Sequence, residues 1–506
     1  MEGSDPVTYK YQFHLSQTIK TVSMSIIVYN SESLHIQYPE EYLTMLFGEH
    51  KMSDLEPVTS DDVRAMFALA ISQMYQKEVP QYGTLLEIVS EVNKHGTSNG
   101  STNHGDTQSR VEVERHGAIR LGTPEELSMM RRLLAVLGME PVDYYDLTAA
   151  GIPVHATGFR PIAKKSLERN PFRVFTSLLR LDLIQDKTLR TRVAEILAKR
   201  QIFTPQCVVL IKRFESGQAL SSDLAKEFIR EALETFRWHS STTVDINTYQ
   251  AIQAEHPLIA DVACFRGPHI NHLTPRVRDI DAAQTAMQER GLATKATIEG
   301  PPRRACPILL RQTSFLALEE EVVFISESSM NGKHKARFGE IEQRGMALTP
   351  KGRRLYDKLL HRSHVAVVQV PEERRASSQS FLLRESFQEF PDDLETIHKE
   401  RLAYFTYRIS NNASEKTTST DIDSMVNSGL LIPTPITYED FLPISAAGIF
   451  HSNLGESDDE DYAVSPDQAA FEISLGCTVH NSIELYSQME KDSISYCLKV
   501  LNVGRL

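Results

Sequence analysis

Apolar residues take up helical spacing shortly after Met52. Val63, Met66, Phe67, Ala70 and Ile71 fall on one face of a 3.6-residue repeat, and Ser60-Asp61 are suited to cap it. A second amphipathic run covers Tyr82 to Val92. Structured sequence is therefore expected from about Met52, with residues 1–51 as an N-terminal extension and 52–506 as a single catalytic domain. Between about Asn170 and Trp238, "NPFRVFTSLLRLDLI", "DKTLRTRVAEILAKR" and "SSDLAKEFIREALETFRW" keep i, i+3, i+4 spacing and predict a helical block. From Asp261 onward the pattern shortens. "KATIEG", "PILLRQTSF" and "EEEVVFI" are bounded by Gly, Pro or polar clusters and predict strands. Four polar stretches, 94–110, 326–336, 411–424 and 455–467, are too polar to bury and are expected as surface loops. The sum is an α+β chain with a helical block inserted into a β-rich scaffold.

Composition narrows the partners. Lys and Arg number 54 against 67 Asp and Glu, a net charge of −13 in 506 residues. Such a chain has no electrostatic reason to collect nucleic acid or anionic lipid. No apolar run reaches the roughly 18 residues of a membrane span. The five cysteines are scattered without a CxxC pair, which points to a reducing compartment. The first twenty residues resemble neither a secretory signal nor a transit peptide, so a cytoplasmic location is expected, with the mitochondrion left open.

Four stretches gather groups able to bind a metal or an anion. In "ERHGAIRLGTPEEL", Thr123-Pro124 with Glu126 forms a capping box that opens a helix, and "VEVERHGAIRL" before it predicts a strand. Alternation then points His116, Ala118 and Arg120 to one side, with the outer pair about 13 Å apart. A small diacid would fit between a metal at His116 and the Arg120 guanidinium; a solvated strand face fits the same pattern. In "GPHINHLTPR" the flanking prolines favour an extended segment, so His269 and His272 face opposite ways and only one reaches a site. The pattern leaves open which one. "RFGEIEQRGMALTPKGRRLYD" puts Glu340 and Glu342 on one strand face, where two buried carboxylates need a cation or protons. "YEDFLPISAAGIFHSNLG" is either a loop closing over a site or a turn packed on the core. Two His and one carboxylate from separate strands make the facial triad associated with non-haem Fe(II) oxygenases.

These four motifs, with "EVPQYGTLLEIVSEVN", "GIPVHATGFRP" and "LLRQTSF", resemble the 2-oxoadipate dioxygenase/decarboxylase family, in order from about Tyr75 to Gly455. The resemblance implies vicinal oxygen chelate-like βαβββ modules whose curved sheet encloses Fe(II). Carried over by position, it implies His116, His272 and Glu340 as metal ligands, Arg120 as the anchor of a substrate carboxylate, and Ile444 and Ser445 in the substrate pocket. It further implies conversion of 2-oxoadipate and O2 to 2-hydroxyglutarate and CO2 in lysine breakdown. Two other readings remain at this level. One is a lyase or isomerase using a non-redox metal, and the other a non-catalytic binding protein that retains the fold.

Overall fold

The computed structural model describes residues 7–14, 21–29, 33–36, 58–96, 106–325, 330–335, 337–411, 421–442 and 466–501. The chain divides into two compact units, Met1–Pro57 and Val58–Leu506. In the first, β1 (Val7–His14), β2 (Thr21–Tyr29) and β3 (Ser33–Ile36) pair antiparallel in that order.

The second unit opens with α1 (Ser60–Glu78) and α2 (Pro80–Gly96), where apolar spacing predicts them. The cap is Thr59 rather than Ser60. Its hydroxyl accepts from Asp62 N while the Asp62 carboxylate accepts from Thr59 N, which closes a capping box. The inner face of α1 buries Val63, Phe67, Ile71 and Tyr75. The Tyr75 hydroxyl donates to the carbonyls of Asn271 and Phe338, at 3.0 and 2.7 Å, and so ties this helix to two strands of the central sheet.

A short helix, α3 (Gln108–Val113), stands where the sequence predicts the start of a strand. Thr107 caps it, and Asp106 and Arg110 are held in buried ion pairs. The C-terminal end of the 94–110 stretch is therefore helical and ion-paired, with Arg110 buried while Thr107 and Ser109 stay exposed, and its residues 97–105 lie outside the described residues. Then follow β4 (Arg115–Leu121), α4 (Pro124–Val136), β5 (Glu140–Asp146), β6 (Val154–Arg160), α5 (Lys164–Arg169) and β7 (Arg173–Leu179). Thr123 caps α4 through Glu126 N as expected, but the Glu126 carboxylate takes Gly122 N and Arg200. β7 corrects the reading of "NPFRVFTSLLRLDLI" as helix. It is buried on both faces between β4 and β6, so its apolar run is continuous and carries no period that separates strand from helix.

The helical block is α6 (Lys187–Ala198), α7 (Pro205–Glu215), α8 (Ser222–Phe236), α9 (Ile246–Glu255) and α10 (Pro257–Ala263). After it come β8 (Ile270–Pro275), α11 (Ile280–Glu289), β9 (Leu310–Ser314), β10 (Glu319–Phe324), β11 (Met330–Lys335) and β12 (Phe338–Arg344). Seven strands run in the order β5-β6-β7-β4-β8-β12-β9 and curl into a half-barrel. β4, α4 and β5 to β7 form a complete βαβββ module whose first and last strands pair in parallel. The second module repeats the scheme through β8, α11, β9 and β12, with β8 parallel to β12. The modules join where β4 meets β8 antiparallel.

The second module departs from the ideal in two places. "KATIEG" is not a regular strand, yet it runs beside β9 through Lys295 N to Ser314 O and Glu299 N to Gln312 O, at 2.9 and 2.8 Å. β10 and β11 leave the main sheet and pair with each other. The 326–336 stretch, expected as a loop, therefore supplies β11, and its His334 is buried. The C-terminal part adds α12 (Pro350–Val368), capped by Thr349 as expected, α13 (Glu372–Ser386), α14 (Leu394–Lys399), β13 (Phe405–Ile409), α15 (Ile422–Asn427) and β14 (Leu431–Pro435), then α16 (Pro466–Leu475), which buries Phe471 and Leu475 in the core around α1 and α4, and α17 (Ser482–Val500), which with the others surrounds a second core. Residues 412–420 and 455–465 of the remaining two polar stretches lie outside the described residues.

The strands of the first unit pair among themselves, and among the residues whose burial is described the core around α1 is built from Val58 and Val63 onward. A chain lacking residues 1–56 is expected to unfold cooperatively at the melting temperature of the full chain. Insolubility or a clearly lower melting temperature would move the boundary toward the N-terminus.

Candidate metal centre

Three neighbouring strands bring their polar residues to one face of the half-barrel. Register sets His116 opposite Thr274 and Ala118 opposite His272 across β4 and β8, and Phe338 beside His272 across β8 and β12. Glu340 then falls beside Thr274, whose hydroxyl donates to Glu340 Oε2 at 3.1 Å. Gly117 permits the close approach of β4 and β8: a Cβ there would sit 2.4 Å from Ile270 Cδ1. Nε2 of His116 and of His272 lie 3.6 and 3.3 Å from Glu340 Oε2, and the rings stand at 89° with centroids 5.4 Å apart. One ligand atom from each residue lies within 4.8 Å of the others, and this is the cluster of such groups found among the described residues. Donors bonded at about 2.1 Å and at right angles sit about 3 Å apart, so the set fits one divalent ion with little adjustment.

The charges around the cluster are set by burial. Burial alone would lower the His116 pKa, but the Glu342 and Glu340 carboxylates outweigh it and hold it above the ordinary histidine value. For His272 burial prevails and pushes the pKa down to about 4. Glu340 is 4% exposed; burial would raise its pKa, but His272 and His116 hold it below the usual carboxylate range. Glu342, on the same strand face, is engaged differently. Arg344 grips its two oxygens at 2.9 Å each, and Oε2 lies 3.0 Å from His116 Nδ1 without full hydrogen-bond alignment. It is placed to keep the proton on Nδ1 and leave Nε2 to a metal. Nδ1 of His272 is buried without a hydrogen-bond partner among the described residues.

His269 is turned to other partners. It lies outside β8, and a register shift opposite Ala118/Ile119 breaks the alternation at Asn271, so even–odd spacing does not carry to it. Its ring stands at 90° to Trp238, centroids 4.6 Å apart, with Nε2 3.1 Å from Asn271 Nδ2 and 3.6 Å from Asp261 Oδ1. Asp261 is the hub of this second cluster. It accepts from Arg120 Nη1 at 2.7 Å and lies 3.0 Å from His334 Nε2. Sequence reasoning missed it, although a lone Asp inside the apolar helix "PLIADVA" is a legible signal.

His116, Ala118, Arg120, His272 and Glu340 line one cavity of about 290 Å³, walled by Phe175, Leu258, Phe338 and Phe441. Arg120, one of these lining residues, keeps 27% of its side chain exposed. Arg160, Arg276 and Arg311 are each committed to carboxylates, Asp440, Glu114 and Asp281 respectively. Lys295, Gln312 and Ser314 also line the cavity and were not singled out from sequence. The stretch from Tyr438 packs as far as Leu442, with Phe441 edge-on to His116 at 5.2 Å. Ile444 and Ser445 lie outside the described residues.

Residues 67–453 match the family model described as 2-oxoadipate dioxygenase/decarboxylase. The chain is 50% identical over 449 residues to a protein of that name from Escherichia coli (strain K12), covering 87% of this chain and 98% of that one. It is 49% identical over 459 residues to its namesake from Pseudomonas putida, covering 89% and 99%. A crystal structure of hydroxyglutarate synthase from Pseudomonas putida in complex with 2-oxoadipate superposes with a TM-score of 0.81 at 48% identity, covering 88% and 99%.

His116→Ala, His272→Ala and Glu340→Gln are each expected to abolish metal retained through gel filtration, measured by elemental analysis. His269→Ala should retain it. Glu342→Gln should bind metal about ten- to a hundredfold more weakly, as loss of a group orienting a ligand does. Equal metal loss in His269→Ala and His272→Ala would contradict this geometry.

Proposed function

The chain belongs to the 2-oxoadipate dioxygenase/decarboxylase family, and on that premise we propose that it converts 2-oxoadipate and O2 to 2-hydroxyglutarate and CO2 at an Fe(II) ion held by His116, His272 and Glu340. The observation that carries the reading is the shared cavity, with the two imidazoles and the carboxylate at one end and the Arg120 guanidinium at the other. The donor set suits the ion: two neutral nitrogens and one carboxylate, with positions left for substrate and O2. When bound, the iron supplies the redox chemistry that activates O2.

The protein's own part is positioning. The 2-oxo acid end of the substrate lies at the His116–His272–Glu340 cluster, and Arg120 takes the far carboxylate through the guanidinium edge that Asp261 leaves free. Ala118, between the two on the same strand face, leaves room for the carbon chain. Phe175, Phe338 and Phe441 keep water from the reacting carbons. The equation balances with both atoms of O2 in one organic product, so no second 2-oxo acid is consumed. 2-Oxoadipate carries its own.

The reading is tested by O2 uptake of the anaerobically iron-loaded protein against C4 to C7 2-oxo diacids, with the C6 acid expected to be turned over best. Arg120→Ala should lower kcat/KM for 2-oxoadipate about thirtyfold. A partly exposed charge pair falls at the low end, about 2 kcal/mol, of what losing one partner costs. Its iron content should equal that of the unsubstituted protein. Unchanged kcat/KM would remove Arg120 from the role of anchor.

A further inference from the structure

The cavity has a second cation, on the opposite module from Arg120. Lys295 belongs to the irregular segment beside β9, and its position is fixed through the backbone: Lys295 N donates to Ser314 O at 2.9 Å, and Lys295 O accepts from Gln284 Nε2 at 3.0 Å. Ser314 is in turn the register partner of Glu340 across β9 and β12. Lys295 thus lies two strand positions across from the carboxylate of the metal cluster and lines the same cavity. Its ammonium is held 2.7 Å from Glu299 Oε1, and Glu299 is buried with its other oxygen lacking a hydrogen-bond partner. Next to it Gln312, 3% exposed, lines the cavity with its carboxamide oxygen unpartnered.

The substrate's charges explain this wall. A dicarboxylate brings two negative charges into a space already lined by the Glu340 carboxylate. The far one meets Arg120. The near one, C1 of the 2-oxo acid group, arrives beside Glu340, where like charges repel unless cations separate them. Thr274 and the two histidines already serve Glu340. Lys295 is the ammonium lining that side of the cavity, with Gln312 and Ser314 as neutral polar neighbours. Its ammonium, with three donors, can keep Glu299 and still take a second carboxylate.

We propose that Lys295, flanked by Gln312 and Ser314, binds the C1 carboxylate of the 2-oxo acid group, so that the cavity reads its substrate with one cation at each end. This rests on the reading of Arg120 as anchor of the far carboxylate, but the two assignments part in experiment. Lys295 recognises what every 2-oxo acid carries. Arg120 recognises what only a diacid carries.

The test is calorimetric binding to the iron-loaded protein without O2, so that affinity is read and not turnover. The probes are 2-oxoadipate and 2-oxohexanoate, which share the 2-oxo acid group and differ at the far end. Lys295→Met should weaken both by the same factor, about tenfold, the lower range for a charge-assisted hydrogen bond at a partly exposed site. Lys295→Arg should recover most of the loss, and iron content should not change. Because Lys295→Met leaves Glu299 unpaired, the double variant Lys295→Met/Glu299→Gln serves where the single one is unstable, with the same expected loss. Arg120→Ala should weaken 2-oxoadipate alone. Unaltered affinity in the Lys295 variants, or a loss confined to 2-oxoadipate, would overturn the assignment. Undiminished 2-oxoadipate affinity in Arg120→Ala would instead remove the anchor and leave the Lys295 result standing.

Discussion

Glu340 is a buried carboxylate without an arginine, and the site is organised around that fact. Glu299 has the Lys295 ammonium, and several other buried carboxylates of this region are matched by guanidinium groups. Glu342 has Arg344, Glu114 has Arg173 and Arg276, Glu439 has Arg110 and Arg173, and Asp440 has Arg160. Among the described residues the ion contacts of Glu340 are His116 and His272. Of these imidazoles one is pushed by burial to a pKa of about 4, so the pair does not carry two protons at neutral pH. An interior anion needs a compensating cation. A divalent ion between the three side chains would supply it and would account for two histidines meeting at the same point.

The fold delivers that point by joining two modules edge to edge. The first strand of each module, β4 and β8, meet at the junction, and the last strand of the second, β12, lies beside β8. A side chain able to bind a metal from each of three adjacent strands then converges at one point, without any loop taking part. Tyr75 clamps β8 and β12 from behind through two carbonyls. The arginine network fixes the stretch that closes the cavity: Arg344 Nη1 donates to the carbonyls of Tyr438 and Asp440 at 2.9 Å each, which holds Phe441 against His116. Candidate metal cluster, cavity wall and ion network are therefore one packed assembly, linked by Glu342 beside His116 and by Arg344, which holds the backbone around Phe441.

Much of this is legible in the sequence, and the failures have physical causes. Strand alternation puts His116, Ala118 and Arg120 on one face because β4 is regular. The helices capped by Thr123 and Thr349 start where their Thr-Pro pairs predict. The sequence of β7 reads as helix because burial on both faces removes the alternation that marks a strand. Spacing was the wrong ground for separating His269 from His272, since the chain bulges at Asn271 and the first histidine lies outside the strand. Asp261, Lys295 and Gln312 were missed because their importance comes from long-range contacts, to Arg120, to Ser314 and to the cavity, which local pattern does not encode.

The proposal at the centre of this reading is that a single 2-oxo acid molecule, held at the His116–His272–Glu340 cluster, supplies both the group that is decarboxylated and the chain that is hydroxylated. Turnover of 2-oxoadipate under 18O2, with mass analysis of the product, tests it most directly. The account predicts 2-hydroxyglutarate carrying two labelled oxygens, one in the new carboxylate and one in the hydroxyl. Product with a single label, or with none, would contradict it.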